Sequence, residues 1–218
     1  MRVLVWNLFH GRAVPPAGRA LLGEFATVLR SWDWDVALLQ EVPPWWPPAL
    51  ALAGEAEQRS ARTSRNLGLP VRRFIAERWP DAIKSNGGGA NAILVRHQAI
   101  TGHRVRRLRW LPERRLVHGV RLADGTWVAN LHAQVGSERR AQADSSAASA
   151  AARGWADGAP LVLGGDFNTR EPDLSELSHA GGRGVDHVFV DGLAPIGVTT
   201  VLDRGPLSDH APLLVTLA

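Results

Sequence analysis

Short apolar segments that stop at polar side chains recur along this chain, and they restrict its fold more than any other feature. In "LVLGGDFN" (161–168), apolar residues pass through two glycines into Asp166 and Asn168. Burial of such groups in a core costs free energy unless they are hydrogen-bonded or ion-paired. We therefore expect the ends of several strands to meet and to form one polar site, because rigid strands can hold such a site in register.

The same transition occurs five more times. It gives Asn7 after "RVLVW", Gln40 and Glu41 after "DVALL", Asn130 and His132 in "TWVANLH", Asp186 and His187 in "VDHVFV", and Ser208, Asp209 and His210 in "SDHAPLLV". Taken alone, each has an ordinary explanation, such as a turn cap or a surface residue. Six transitions in one short chain predict a site rich in carboxylate, carboxamide and imidazole groups.

Hydrophobic spacing predicts a fold dominated by strands. The predicted strands are 2–6, 35–39, 92–96, 103–109, 115–122, 126–132, 160–164, 185–190, 196–202 and 211–217, and the predicted helices are 17–31, 49–59 and 137–153. Ser137 is the expected N-cap and Gly154 the expected C′ residue of the last helix. Asp124-Gly125 predicts a hairpin turn. We expect one domain over residues 1–218, with two packed sheets and outer helices rather than one parallel sheet.

Composition limits the chemistry. The chain has 218 residues, 45% of them hydrophobic, and no cysteine. Disulfides, zinc–thiolate sites and thiol nucleophiles are therefore excluded, and a metal must be held by carboxylate, carboxamide or imidazole, which favours Mg²⁺ or Mn²⁺. No apolar run of membrane-spanning length is present. No basic and apolar leader precedes the first strand, so we expect a cytoplasmic protein.

The basic residues are almost all arginine. The formal charge is +4, and Lys84 is the single lysine among 25 Lys and Arg residues. Codon bias in a GC-rich genome explains this usage, and so does phosphate binding, for which the planar guanidinium is suited. Both explanations stay open, as they do for "HRVRRLRW" (103–110), which is either a solvated strand face or a groove lining.

Together these segments resemble the endonuclease/exonuclease/phosphatase superfamily. The resemblance is carried by WN (6–7), LLQE (38–41), ANLH (129–132), GGDFN (164–168), VDHVFV (185–190) and SDHAPLLV (208–215), in matching order from residue 2 to residue 217. That superfamily includes deoxyribonuclease I, exonuclease III-type apurinic endonucleases, sphingomyelinases and inositol polyphosphate 5-phosphatases. The resemblance implies an α/β fold, a four-layered α-β-β-α sandwich of two mixed β-sheets flanked by helices. It also implies divalent-metal dependence and hydrolysis of a phosphate ester.

With this chemistry, each candidate residue receives a role. The expected metal ligands for Mg²⁺ or Mn²⁺ are Asn7, Glu41 and Asp209; the expected catalytic residues are His132, Asp166, Asn168, Asp209 and His210; and the candidate phosphate contacts are Arg114, Arg115 and Asn91. Asp166 would orient or deprotonate the attacking water, and Asn168 would steady it. Asp209 would accept a hydrogen bond from His210, which would act as a base or as a cation on the phosphate.

Several residues stay outside this scheme. Asp186 would position a neighbour such as His132 or cap its strand. Gly87 to Gly89 would let backbone approach a ligand or would form a flexible loop. Trp45 and Trp46 would cover the core or stack on bases. Five histidines are assigned structural or surface roles, namely His10, His97, His103, His118 and His179.

The resemblance leaves the substrate open. The chain has no tyrosine, whereas apurinic endonucleases carry one in the active site, and only 40 residues separate Asn168 from Asp209. We expect a nuclease that acts on DNA as a monomer. The alternative is a phosphatase or phosphodiesterase for a lipid or a small phosphorylated metabolite. The third alternative is a non-catalytic binding domain, against which the intact set of polar residues argues.

Overall fold

The strands of the protein form two six-stranded sheets. A computed structural model describes residues 1–64, 66–82 and 89–218, so Gly87 and Gly88 lie outside the described residues. The strands are β1 (Arg2–Asn7), β2 (Val36–Val42), β3 (Glu57–Arg62), β4 (Ala90–Val95), β5 (Ile100–Arg109), β6 (Arg115–Leu122), β7 (Trp127–His132), β8 (Leu161–Asp166), β9 (Ser178–Arg183), β10 (Asp186–Asp191), β11 (Thr200–Val201) and β12 (Leu213–Thr216). The helices are α1 (Leu22–Ser31), α2 (Pro47–Ala53), α3 (Leu69–Arg78) and α4 (Glu138–Ala156), with a 3₁₀ turn at Phe9–Gly11.

Both sheets are mixed. The first has the strand order β11-β12-β1-β2-β4-β3 and the second the order β5-β6-β7-β8-β10-β9. Only β1 with β2 and β7 with β8 pair in parallel among the described strands, and the remaining neighbours are antiparallel. In each sheet, therefore, one pair of neighbouring strands ends at the same edge.

Alternation along the strands builds the layers, because successive side chains of a strand point to opposite faces. In β1, Val3 and Val5 join a valine-rich core between the two sheets. Leu4 and Trp6 point the other way and pack with Phe25 of α1. On the outer face of the second sheet, small residues of α4, among them Ala141, Ala148 and Ala152, pack against the strands. This arrangement confirms the expected four-layered α-β-β-α sandwich.

The structure differs from the sequence prediction in the segment 49–59. The predicted helix ends at Ala53, and β3 starts at Glu57. Gly54 closes the helix, and Glu55 has a φ of 53°, a backbone conformation that few residues other than glycine adopt readily. The following residues pair along their whole length with β4, so long-range pairing overrides local helix propensity here.

The predicted helix ends also shift. The helix predicted at 17–31 begins at Leu22, and the helix predicted at 137–153 continues to Ala156. Ser137 is its N-cap, as predicted, and accepts a hydrogen bond from the Arg140 amide. Gly154 stays inside the helix, and Asp157, with φ 47°, takes the left-handed position assigned to that glycine.

Two buried amides tie the sheets together. Gln40 Nε2 donates to Asn130 Oδ1 at 2.8 Å, and Asn130 Nδ2 donates to the carbonyls of Leu39 at 3.0 Å and Ala92 at 2.9 Å. Both side chains are 0% exposed. We call this pair the amide bridge. It connects the two sheets within a largely apolar interface, directly behind the strand ends at which the polar residues gather.

We expect Asn130→Ala to destabilise the protein by about 2–4 kcal/mol, because it removes three buried hydrogen bonds, at roughly 0.5–1.5 kcal/mol each. Gln40 Nε2 keeps its hydrogen bond to the Leu38 carbonyl. Urea unfolding at constant m-value measures this. The control is Gln98→Ala, which removes an exposed amide and should change stability by less than about 0.5 kcal/mol. A loss in Asn130→Ala no larger than in this control would show that the bridge contributes nothing to stability.

None of the helices in the described part of the chain combines the length and the apolar content needed to cross a bilayer.

Candidate active site

The polar strand ends converge at one edge of the sandwich, where both parallel pairs end. The register pairs Asn7 with Gln40 in the first sheet. In the second sheet it pairs Asp166 with His132 on one side and with Asp186 on the other. Asn7 Nδ2 donates to Asp166 Oδ2 at 2.9 Å. This hydrogen bond joins the two sheets, so the site is assembled from both of them.

The two glycines before Asp166 allow its strand to reach this place. A Cβ on Gly164 would lie 2.7 Å from Leu38 Cδ1, on the facing sheet. Gly165 has a φ of 140°, and a Cβ there would lie 2.0 Å from the carbonyl oxygen of Leu131. Gly165 therefore admits no side chain, whereas a Cβ at position 164 would require the Leu38 side chain to move. The "GG" that precedes the carboxylate is therefore a packing requirement of the strand that presents it.

Asp166 lies at the centre of the site and is 2% exposed. Its Oδ1 accepts a hydrogen bond from the backbone amide of Asn168 at 3.0 Å. Its Oδ2 lies 3.6 Å from His132 Nε2 and 3.9 Å from His210 Nε2. Burial, together with the charge of Asp186, raises the pKa of Asp166 to about 6. A carboxylate with such a pKa can accept a proton near neutral pH.

Asn168 secures the turn after this strand. It has a φ of 51°, a conformation that asparagine tolerates better than most residues. Its Nδ2 donates to the carbonyl of Ala133 at 3.0 Å. One of its two amide hydrogens is used in this way, and the other stays available for the predicted contact with water or phosphate.

His210 has a different partner from the predicted one. Its Nδ1 lies 2.8 Å from Asp186 Oδ2, so the expectation that Asp209 holds this ring is wrong. Ser208 explains the difference: its hydroxyl donates to the Asn7 carbonyl at 2.6 Å and accepts from the His210 amide at 3.0 Å. With Ser208 at φ 63°, this turn brings His210 inward against β10 and leaves Asp209 exposed.

The Asp186 contact determines the charge of His210. Burial alone would lower the pKa of this ring. The hydrogen bond and the charge of Asp186, helped by Asp166, outweigh burial and raise the pKa to about 9. His132 is the opposite case, because burial and the charge of Arg115 bring its pKa well below the ordinary value. At neutral pH the site thus contains one charged and one neutral imidazole.

Glu41 faces these groups from the first sheet. It has a φ of 50° at a β-bulge between Leu39 and Val42, and such a bulge re-aims a side chain. Its Oε1 lies 3.9 Å from His132 Nε2. Its Oε2 lies 3.1 Å from His10 Nε2. His10, assigned a structural or surface role above, is thus a neighbour of the site that no sequence signal had indicated.

The donor set fits a hard divalent cation. Burial and the charge of Asp166 raise the pKa of Glu41 to about 7. The carboxylates of Glu41 and Asp166 are therefore close enough to repel each other. Carboxylate and carboxamide oxygens are the ligands that Mg²⁺ and Mn²⁺ prefer. Asn7 Oδ1 accepts from the Phe9 amide at 3.0 Å and keeps a second lone pair.

A second group of potential ligand atoms belongs to Asp166, Asp186 and His210, which lie within 4.8 Å of one another. The contact with Asp186 favours the protonated form of the His210 ring, and a protonated imidazole is a poorer metal donor than a carboxylate or a carboxamide. Glu41 and Asn7 are therefore the better-placed ligands. Asp209 is exposed, but its charge still acts on the pKa of Glu41.

The three candidate phosphate contacts have different surroundings. Arg114 and Arg115 line a cleft with His10, Glu41 and His132. The Arg115 guanidinium is held by Glu113, and the Arg114 guanidinium donates to the carbonyl of Arg62. Asn91 is fully buried, and neither of its polar side-chain atoms has a partner among the described residues. It does not line this cleft, and its contact with substrate stays a prediction.

Comparisons with known proteins agree with the fold. A sequence model of the endonuclease/exonuclease/phosphatase family matches residues 4–210. An endonuclease/exonuclease/phosphatase from Beutenbergia cavernae superposes with a TM-score of 0.75 at 21% identity, covering 100% of this chain and 71% of that one. A mannosyl-6-phosphatase from Bacteroides thetaiotaomicron gives a TM-score of 0.75 at 16% identity, covering 100% and 99%.

The human nocturnin catalytic domain, solved with a bound sulfate anion, is also similar. It gives a TM-score of 0.69 at 20% identity and covers 100% of this chain and 94% of that one. At such identities, structural likeness establishes a common fold, and the activities of these proteins remain their own. A sequence search of curated proteins gives no match to this chain.

Proposed function

The chain belongs to the endonuclease/exonuclease/phosphatase family of phosphoric-ester hydrolases, and we propose that it is a metal-dependent phosphodiesterase that cleaves nucleic acid, with DNA as its substrate. Members of this family depend on divalent metal ions. One observation carries the proposal. A buried carboxylate with a pKa near 6, Asp166, lies beside a protonated imidazole, His210, among residues that fit a hard cation.

Each group then has one task in phosphodiester hydrolysis. Glu41, Asn7 and Asp209 would hold Mg²⁺ or Mn²⁺, which supplies charge neutralisation at the phosphate. Asp166 orients the attacking water and accepts its proton, within a frame set by Asn7 and Asn168. An anionic phosphate repels a free hydroxide ion. The attacking group is therefore a water molecule, and transfer of its proton to Asp166 during the attack lowers the barrier.

The two imidazoles divide the remaining work. His210, positively charged and fixed by Asp186, stabilises the negative charge that grows on the phosphate oxygens. His132 is neutral at pH 7, and its Nε2 lies near the carboxylates of Glu41 and Asp166, which accept hydrogen bonds. We propose that His132 donates a hydrogen bond to the phosphate from this nitrogen.

The experiment that tests the proposal is cleavage of supercoiled plasmid with Mg²⁺ or Mn²⁺, with EDTA and the Asp166→Asn variant as controls. Metal-dependent nicking that disappears in the variant would support a nuclease. Absence of nicking, with metal-dependent hydrolysis of bis(p-nitrophenyl) phosphate by the same preparation, would contradict the DNA assignment and keep the chemistry.

A lipid or small phosphorylated metabolite is the second candidate substrate, favoured by the likeness to a mannosyl-6-phosphatase. Salt dependence separates the two. The affinity for a polyanion falls steeply as salt rises, because counterions are released on binding, whereas a small substrate gives a shallow slope. Cytoplasmic location and a monomeric state stay predictions, which cell fractionation and size-exclusion chromatography would test.

Glu41→Gln should raise the Mg²⁺ concentration for half-maximal activity by about 10–100-fold, because it removes the charge of the best-placed metal ligand. Metal titration of activity, with the Mg²⁺-induced shift in Tm as a second readout, measures this. The control is the same change at exposed Glu55, which should leave the Mg²⁺ concentration for half-maximal activity unchanged. Equal metal requirements for both variants would remove Glu41 from the metal site.

A further inference from the structure

A second cleft opens on the other side of His210. It has a volume of about 440 Å³ and is lined by Arg170, Arg183, Arg204, Asp209 and His210, among others. We call it the arginine cleft. It lies across the catalytic row from the cleft of Glu41 and Arg115, so the two clefts flank the position at which the proposed reaction takes place.

Strand register places Arg183 relative to the catalytic carboxylate. Asp186 pairs with Asp166 on one side and with Arg183 on the other. Neighbouring strands are about 4.8 Å apart, so the Cα of Arg183 lies about 10 Å from that of Asp166, in the same cross-strand row. From this point the Arg183 guanidinium can reach a group that lies next to the reacting phosphate.

The guanidinium groups of the arginine cleft are available for a ligand. Arg170 and Arg183 are exposed, and neither guanidinium group has a hydrogen bond or ion pair with any residue that the structure describes. Arg204 is held in place, since its Nη1 donates to the carbonyls of Gly205 at 3.1 Å and Leu207 at 2.8 Å. It therefore presents its charge from the same loop that leads to Ser208.

The charges of the arginine cleft favour an anion. Three guanidinium groups face two carboxylates, and one of these, Asp186, is already bonded to His210. Exposed arginines on β5, such as Arg104 and Arg106, have no such relation to the catalytic residues. What distinguishes the arginine cleft is its place, immediately beside His210.

We propose that the arginine cleft binds the phosphate that neighbours the scissile one. The substrate class is then a strand with phosphates on successive units, an oligonucleotide, held across both clefts with the scissile phosphate at Asp166. Because a planar guanidinium binds phosphate oxygens in pairs, Arg170 and Arg183 determine specificity for such strands. This inference rests on the proposed function and adds to it the side on which the strand continues.

The test compares a substrate with one phosphate and a substrate with several. Bis(p-nitrophenyl) phosphate has no neighbouring phosphate, whereas a thymidine pentanucleotide has neighbours on both sides of an inner diester. In Arg170→Ala/Arg183→Ala, we expect kcat/KM for the pentanucleotide to fall at least 10-fold, chiefly through KM. We expect less than a twofold change for bis(p-nitrophenyl) phosphate. The slope of log kcat/KM against log salt should become shallower by about 1.4, or about 0.7 for each lost contact with a single strand.

The matched control is Arg30→Ala/Arg153→Ala, which removes the same charge elsewhere. Both residues lie in the last turn of a helix that leads to the start of a strand, far from the strand ends of the site. It should change neither substrate by more than twofold. The inference is overturned if this control lowers pentanucleotide cleavage as much, if the cleft variant lowers both substrates equally, or if it lowers neither.

The failure of the inference is distinct from the failure of the proposed function. A wild-type protein that hydrolyses neither substrate with Mg²⁺ or Mn²⁺ contradicts the proposed function. A wild-type protein that hydrolyses bis(p-nitrophenyl) phosphate and not the pentanucleotide contradicts the nucleic-acid assignment, and the inference with it. Thermal unfolding of each variant within a few degrees of wild type confirms that the comparison concerns binding.

Discussion

Asp166→Asn is expected to lower kcat by roughly 10³-fold, in the middle of the range for loss of a general base. The amide has the shape of the carboxylate but cannot take a proton from water. Its NH₂ group can also face the NH₂ group of Asn7, which in the wild type donates to Asp166 Oδ2 at 2.9 Å. Asp166→Ala, which avoids this repulsion, should show the same loss. Kinetics on bis(p-nitrophenyl) phosphate at saturating Mg²⁺, with circular dichroism of each variant, measures it; near-wild-type turnover in both would contradict the mechanism.

The same variant should change how stability depends on pH. Asp166 has a pKa of about 6 in the folded protein, against an ordinary value of 3.8. A raised carboxyl pKa means that protons bind the folded state more tightly. The contribution of Asp166 to stability is therefore complete below pH 3.8 and is lost as pH rises to about 6. Glu41, raised from 4.5 to about 7, acts in the same direction.

Urea unfolding in EDTA between pH 4 and pH 6.5 tests this sign. The stability of wild type relative to Asp166→Asn should decrease as pH rises across the interval, because only wild type has the contribution of Asp166. Glu41 and the buried histidines with lowered pKa titrate in both proteins, so their contributions cancel in this difference. His210 does not interfere, because a group with a pKa raised from 6.5 to about 9 keeps its full contribution below pH 6.5. Parallel curves for the two proteins would show that Asp166 does not titrate in this range.

His210→Gln is expected to reduce kcat by about 10²–10³-fold, as removal of one preorganised electrostatic contact does. The contribution of His210 depends on its charge, so the pH profile is the sharper readout. If the imidazolium is the active form, wild-type activity should fall as pH rises through about 9. In Asp186→Asn the main support of this pKa is gone, and the alkaline limb should move toward neutral pH.

Asp209→Asn, measured at saturating Mg²⁺, is the control for that shift. Asp209 is the weakest of the contributions to the raised pKa of His210, so its alkaline limb should stay close to that of wild type. An equal shift in both variants would mean that overall charge, rather than the 2.8 Å contact with Asp186, determines the titration. Unchanged limbs in both would exclude His210 as the titrating group.

The layers of the fold were predictable because they follow from local patterns. Continuous apolar runs in β1 and β2 predict strands that are buried on both faces, and the structure places their two faces in separate cores. The elements that the sequence did not predict lack such a pattern. β9, "SHAGGR", has no apolar alternation and depends on glycine, since a Cβ on Gly181 would lie 2.2 Å from Thr199 Oγ1. α3 leaves Val71 and Phe74 exposed, so no buried stripe reveals it.

The site was predictable in its membership and less so in its pairings. Strand ends with polar residues indicate which side chains gather, because parallel neighbours end at one edge. Which carboxylate holds His210 depends on the turn at Ser208 and on the register of β10. Neither is local, so the adjacent Asp209 was the natural but incorrect choice. His10 was missed for the same reason, since its contact with Glu41 spans two segments with positive φ.

The amide bridge has a mechanical consequence. Glu41 and Asn7 come from one sheet, while His132, Asp166 and Asp186 come from the other. A valine-rich interface is non-directional and penalises small lateral sliding of one sheet over the other only weakly. Hydrogen bonds between buried amides have one geometry and resist such sliding. The distance between the metal ligands and the general base therefore depends on the whole interface between the sheets. The buried amide bridge helps to fix this distance, although it lies outside the site itself.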